Sequence, residues 1–449
     1  METITVLGAG YVGLTTAALL SNANFKVYIV EVNPLRLKSI KKGKSFFYEE
    51  GLNNLIKSSM RNKTLIPTSS YQDAVPKSDV VFSCVGTPDN PDGSSNLSYI
   101  YSAANEAADY LKEDSIYVQK STVPVGTGLE IQNIFSNKNK NISYISNPEF
   151  LKEGTAIADT LFFDRVVVGG RDKAAINKIL DIYRQLEKYR NKVVKIADIR
   201  YIERKGEYIS TGLNSAELIK VSANAFLALK ISYANSIAIF ADKVGANIVE
   251  VMDAVGADER IGRAFLNAGR GYGGGCFPKD VSSLISSCKA YKVDSSIMES
   301  AQSVNSSMPS YIVKKMTEKL NNSITNKKIA VLGLSFKSGT SDVRKSPGIK
   351  IANIISKAGA IVTAYDPQAN EEAKSDLRGD VVLHDTIDDT INGTEAIIIA
   401  TEWPEFINLP ISEYAKASNT KGSIFVDAVN RFTYEEVTNQ DFVYIGVGR

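Results

Sequence analysis

The sequence predicts an α/β chain: two doubly wound parallel-sheet domains joined by a central helical region with one long helix. Three observations carry this. Short apolar, β-rich runs alternate with amphipathic stretches over the first half of the chain. A long pattern with alanine and leucine at helical spacing runs from about Ser215 to Val244. A second strand–helix alternation begins at Ile329–Leu332.

In chain order, the first strands are expected at Ile4–Leu7, Lys26–Val30, Val80–Val85, Ile116–Gln119, Tyr144–Ser146 and Arg165–Val168. The polar stretch Asp198–Asn214 reads as a linker before the long helix. Further helix extends to about Leu320, and the polar run Asn321–Lys328 reads as a second boundary. Later strands follow at Ile361–Tyr365, Ala396–Ala400, Ser423–Val426 and Phe442–Ile445. The expected regions are therefore 1–200, 201–320 and 321–449, a division that a chain of 449 residues allows.

A content of 44% hydrophobic and 23% charged residues is that of an ordinary globular protein. A net charge of +2 gives no basic field for nucleic acid or anionic membrane. No apolar run reads as long enough to span a bilayer, and the first strand begins too early to leave room for a signal peptide. Cys84, Cys276 and Cys288 are an odd, sparse set, which points to a reducing cytoplasm and away from a disulfide framework. His384 is the one histidine, so acid–base chemistry falls to lysine, carboxylates or water, and no metal site is expected.

Gly8, Gly10 and Gly13 form Gly-x-Gly-x-x-Gly between the first strand and a helix, the Rossmann-like dinucleotide signature. The helix N-terminus favours phosphate charge. Glu31 ends the second strand, where an acidic side chain accepts the ribose hydroxyls of NAD and repels the extra phosphate of NADP. Arg36, one turn on, either faces the adenosine ribose or is a surface arginine.

A thiol segment stands apart: Gly269-Arg-Gly-Tyr-Gly-Gly-Gly-Cys276-Phe-Pro-Lys-Asp280. Pro278 favours a helix start, so Cys276 lies near the positive end of a helix dipole, which favours the thiolate. Asp280, four residues on, can orient a water or a lysine. Cys84 and Cys288 lack such surroundings and read as structural. On the long helix Lys220 and Asn224 share a face, suited to stabilising an oxyanion. In Asn147-Pro-Glu149-Phe-Leu-Lys-Glu153 one carboxylate can act as a base, although acidic residues in a helix first turn would look the same.

Taken together, these segments resemble the UDP-glucose 6-dehydrogenase family over nearly the whole chain. The matches also include Val85-Gly-Thr-Pro88, Ser121-Thr-Val-Pro124, Arg260-Ile-Gly262, Gly333–Lys337, Asp342-Val-Arg344 and Ala400-Thr-Glu-Trp403. The resemblance implies NAD as cofactor, UDP-glucose as substrate and two successive oxidations to UDP-glucuronate. It implies Cys276 as nucleophile, Lys220 and Asn224 as oxyanion stabilisers, Asp280 as the holder of water, and Glu149 and Thr122 as aids to proton transfer. It places cofactor contacts at Tyr11, Val12, Gly86, Thr87, Thr122, Glu153, Lys279 and Arg344. It places substrate contacts at Glu149, Phe150, Leu151, Lys152, Glu153, Lys220, Asn224, Phe265, Leu266, Asn267, Ala268, Gly269, Gly273 and Lys337. Arg260 would reach the substrate of a neighbouring subunit, so a homodimer or larger assembly is implied. Gly275 stands at a usual serine, Arg270 at a usually small or proline position, Glu50 at a usual proline and Val429 at a usual arginine; Arg431 is a possible substitute for the last. The same-class alternative is another UDP-sugar, such as a UDP-N-acetylhexosamine. A one-step, thiol-free dehydrogenase and a non-enzymatic nucleotide-sugar binder are the readings from other classes.

Overall fold

Strand β1 (Thr3–Leu7) shows how the first sheet is built: Ile4 and Val6 point into one apolar layer and Leu7 into another, as strand alternation requires. The next strands are β2 (Lys26–Val30), β3 (Leu65–Thr68), β4 (Val80–Ser83), β5 (Ile116–Gln119), β6 (Ser143–Ser146), β7 (Arg165–Gly170) and β8 (Glu207–Thr211). They lie in the order β3-β2-β1-β4-β5-β6-β7-β8. All pairs are parallel except β6–β7, where Ile145 faces Gly170. The connection between those two carries only the six-residue helix Ala156–Leu161, short of a full crossover, and the chain returns antiparallel.

The second sheet holds β9 (Lys328–Leu332), β10 (Ile361–Tyr365), β11 (Val382–Leu383), β12 (Ala396–Ile399), β13 (Ile424–Asp427) and β14 (Val443–Ile445), all parallel, in the order β11-β10-β9-β12-β13-β14. Ile329 and Val331 face one layer and Ala330 and Leu332 the other. Asp366, just past β10, accepts from the backbone N–H groups of Leu334 and Ser335, the Ser335 hydroxyl and the Trp403 indole.

This computed structural model describes residues 1–138, 140–418 and 421–449. The chain forms two compact units: Met1–Ala223 with Ser282–Tyr291, and Asn224–Val281 with Lys292–Arg449. The expected α/β class with two parallel-sheet regions and a long helix is what the chain adopts, and that helix spans Leu213–Val244. The stretch Asp198–Asn214 is not only linker, since β8 lies within it and pairs with β7 over five positions. Its residues are half-exposed and lack an apolar run, the mark of an edge strand. β3 escaped for a similar reason and carries Pro67, which an edge tolerates.

By length and composition alone Leu213–Val244 could cross a membrane, contrary to the expectation that no run is long enough. Several of its buried polar side chains bond to other parts of the protein, which a lipid cannot replace. Glu217 accepts from the N–H groups of Gly126 and Gly128. Asn224 donates to Asp280, Ser232 to the Ala301 carbonyl, and Asn235 accepts from the Gly269 N–H.

Candidate active site

The glycine loop sits at the C-terminal end of β1, with the helix Tyr11–Asn22 directly behind it. A Cβ on Gly13 would lie 1.9 Å from the Gly8 carbonyl oxygen, so only glycine lets helix and strand approach this closely. Gly10, by contrast, has nothing within 4 Å on its Cβ side. That open side, the helix N-terminus and the buried Glu31 suit a dinucleotide pyrophosphate and ribose. Glu31 accepts from the N–H groups of Ala9 (3.3 Å) and Asn33 (2.8 Å), tying the loop to the end of β2. Arg36 is exposed and stacks on Phe46 at 4.8 Å; Tyr11 packs on Phe47 at 4.0 Å, and Val12 packs against the core. Ser121 donates to the Val85 carbonyl at 2.7 Å, which pins Ser121-Thr122 beside the segment carrying Gly86 and Thr87.

Glu149 follows β6 in a loop and not in a helix. Its Oε1 accepts from the N–H groups of Phe150 (2.8 Å) and Leu151 (3.1 Å), and its Oε2 lies 2.5 Å from the Lys120 ammonium. Burial is the largest single influence and would raise this carboxyl; the Lys120 charge and its hydrogen bond, the Phe150 N–H and the Lys220 charge together outweigh it, and the group is held below its ordinary range. Lys220 is buried and lies 5.2 Å from the centre of the Phe150 ring, which Arg165 covers at 4.0 Å. Lys152 pairs with Asp159 at 3.1 Å, and Glu153 is buried in the same loop. Cys84 is buried and its thiol is pushed up to about 12, chiefly by desolvation, which suits a structural cysteine.

In the second unit Cys276 is exposed and immediately precedes the helix Phe277–Ala290, its carbonyl accepting the Asp280 N–H at 2.8 Å. Among the described residues no disulfide involves it. Asp280 is 1% exposed; Oδ2 accepts from the Asn224 amide and Oδ1 from the Lys279 ammonium, both at 2.6 Å. The carboxylate thus fixes Asn224 one turn beyond Lys220 on the long helix. A Cβ on Gly275 would lie 2.4 Å from the Arg344 guanidinium carbon, so the glycine at this usual serine position makes room for that side chain. Arg344 in turn forks onto Asp342.

The remaining expected substrate residues lie mostly in this unit. Phe265 has a left-handed backbone (φ 66°), Leu266 and Ala268 are buried, and Asn267 accepts from Arg263. Gly269 and Gly273 back directly onto the carbonyls of Ala428 and Lys345. Lys337 lies 5.8 Å from the Phe336 ring. Arg260 is exposed and paired with Asp258. Arg270 is buried, donating to the Phe336 carbonyl at 2.9 Å and pairing with Glu402 at 3.3 Å; it supports the loop before Lys337. Val429 is half-buried, and Arg431 is exposed.

Sequence reading missed several residues that hold these groups. Lys120 was legible only as a lysine directly after an apolar central strand. Glu49 accepts from the N–H groups of Gly154 and Ile157, and Glu217 caps the helix Thr127–Asn137; burial raises both carboxyls to about 7. Nothing in the local sequence marks either one.

Residues 2–187 match the NAD binding domain of the UDP-glucose/GDP-mannose dehydrogenase family, residues 214–307 its central domain, and residues 330–434 its UDP binding domain. A UDP-glucose 6-dehydrogenase of Bacillus subtilis is 37% identical over 99% of this chain and 97% of its own length. One from Rhizobium meliloti is 38% identical over 99% of each. A UDP-glucose dehydrogenase structure from Pyrobaculum islandicum superposes with a TM-score of 0.89 at 32% identity, covering 100% of this chain and 98% of that one. A UDP-D-ManNAc dehydrogenase from Pyrococcus horikoshii follows with a TM-score of 0.85 at 27% identity, covering 100% and 99%. The chain belongs to the UDP-glucose/GDP-mannose dehydrogenase family and carries its NAD-binding, central and UDP-binding parts in order.

Proposed function

We propose that the protein is an NAD-dependent UDP-glucose 6-dehydrogenase that oxidises C6 twice, giving UDP-glucuronate. The observation that carries this is the exposed Cys276 at a helix start, with the buried Asp280–Asn224 pair one turn into the helix. The Gly8–Gly13 loop and Glu31 would hold NAD, which when bound would supply the hydride acceptor for each oxidation. The C6 hydroxyl gives up its proton to water as the first hydride leaves, with Thr122 and Glu149 orienting the hydroxyl. Cys276 then adds its sulfur to the aldehyde carbon, and Lys220 and Asn224 stabilise the oxyanion, a contribution of a few kcal/mol, roughly 3. After the second hydride leaves, water adds to the thioester, the C–S bond breaks, and the thiol and a carboxylate are released. Asp280 holds that water or its neighbours. Two NAD and one water are consumed per sugar, and three protons are released. Glu153, Lys279 and Arg344 complete the cofactor contacts; Phe265–Gly269, Gly273 and Lys337 line the UDP-sugar.

The three-part organisation 1–200, 201–320 and 321–449 belongs to the same reading, supported by the three family matches. So does self-association. Leu218, Phe226, Tyr233, Phe240 and Val244 form an exposed large apolar stripe at helical spacing along the long helix, suited to a second copy. A reducing cytoplasm fits the cysteine usage.

Incubation with UDP-glucose and NAD tests the reading: two NADH are expected per sugar consumed. A ratio near one, or turnover confined to an acetylated UDP-sugar, would sink it. Cys276→Ser should stop the second oxidation and leave an aldehyde-level species.

A further inference from the structure

Behind Glu149 runs a buried chain of donors to which the reaction above gives no role. The Lys120 ammonium, 2.5 Å from Glu149 Oε2, donates to the Tyr183 hydroxyl at 2.8 Å. Tyr183 donates to Asn147 Oδ1 at 2.6 Å, and the Asn147 amide donates to the Val167 carbonyl at 2.8 Å. The three residues are 2%, 7% and 1% exposed. Lys120 and Asn147 directly follow β5 and β6, Val167 lies in β7 and Tyr183 in the helix Lys173–Lys188, so the geometry of the chain is set by the sheet and the helix packed on it.

We propose that Lys120 is a positioning residue for the proposed reaction: backed by Tyr183 and Asn147, it anchors the Glu149 carboxylate as a permanent anion that orients substrate and does not relay protons. The inference rests on the functional reading above. Two features of the geometry support it. Both carboxylate oxygens are already engaged, Oε1 by two backbone N–H groups and Oε2 by the ammonium. The donors run one way, from Lys120 to a backbone carbonyl, and end there, so the chain offers no return path for a proton. The titratable or charged groups facing Glu149 are Lys120 just after β5, Lys220 from the long helix, Tyr183 from its helix and Cys84 after β4.

The test compares full-length wild type, Lys120→Met, Lys120→Arg and Lys120→Met/Glu149→Gln, by kcat from about pH 6 to about pH 9 and by melting temperature over the same range. Lys120→Met should lower kcat on the order of a hundredfold and add a titration step to its pH profile. Lys120→Arg should recover most of the rate. The Lys120→Met melting temperature should fall further below wild type as pH rises, because Glu149 must ionise in a buried place without its cation. The double variant should lose that pH dependence yet stay slow. A merely structural lysine predicts otherwise: rate and melting profiles of Lys120→Met parallel to wild type, or a double variant that regains the rate, would overturn the proposal. If wild type fails to reduce NAD with UDP-glucose while the melting series behaves as expected, the functional reading falls and the Lys120–Glu149 anchor stands.

Discussion

The two sheets of this chain begin the same way and diverge at one acidic residue. In the first, Gly13 presses on the Gly8 carbonyl; in the second, a Cβ on Gly348 would lie 2.2 Å from the Gly333 carbonyl. In each, an acidic side chain stands just beyond the second strand of the motif, Glu31 after β2 and Asp366 after β10. Glu31 takes two backbone N–H groups, one per oxygen, which leaves lone pairs for ribose hydroxyls. Asp366 is 1% exposed and additionally takes the N–H groups of Gln368 and Ala369, so its lone pairs are spent inside the protein. The same architecture thus leaves acceptor capacity on the acid of one sheet and spends it on anchoring a loop in the other. The loop so anchored, between Gly333 and Pro347, is long and carries Lys337 and Arg344.

The sharpest way to break this comparison is to overfill each tight turn. Gly13→Ala and Gly348→Ala should each cost about 3 kcal/mol of stability. Calorimetric titration should show Gly13→Ala losing NAD binding, and Gly348→Ala losing UDP binding while NAD binding persists. Equal loss of both ligands in both variants would show that the units do not specialise as described. Next comes the acidic pair. Asp366→Asn should destabilise by about 2 kcal/mol through unsatisfied buried donors and leave NAD affinity unchanged. Glu31→Gln should change the melting temperature little, weaken NAD roughly tenfold and narrow the preference over NADP.

A pH experiment separates the units further. Burial raises Glu49 and Glu217 in the first unit to about 7, and Asp427 in the second to about 6. A raised carboxyl stabilises the fold fully below its unfolded value and loses that contribution as pH climbs to the folded one. For Glu49 and Glu217 the window is therefore 4.5 to about 7, with up to about 3 kcal/mol at stake per group. Glu49→Gln/Glu217→Gln should flatten the decline in melting temperature over that window; an unchanged slope would remove these two groups from the account. The smallest effect is expected at Arg36→Ala, about 0.5 kcal/mol of NAD affinity, since its stacking on Phe46 is exposed.

What could be read from sequence follows locality. Gly8–Gly13, Glu31 and Cys276–Asp280 are short runs whose spacing itself encodes turn, strand end and helix start, and the fold class came from periodicity. The supports of the site were opaque because their partners lie far along the chain. Glu217 meets Gly126 about ninety positions away, and Lys120 meets Tyr183 sixty-three away. Asp280 shows the middle case: its position on the helix was legible, but its grip on Asn224 was not. β8 was lost inside a polar stretch because an edge strand need not be apolar.

Trp403 is the only tryptophan in the chain, and its indole N–H rests on the Ser335 hydroxyl and the Asp366 carboxylate. The protein therefore carries a single built-in fluorophore at the base of the Gly333–Pro347 loop. Its emission should report loop ordering when a nucleotide sugar binds, with no labelling. Resonance transfer from the same indole to bound NADH would then measure the distance from Trp403 to the cofactor.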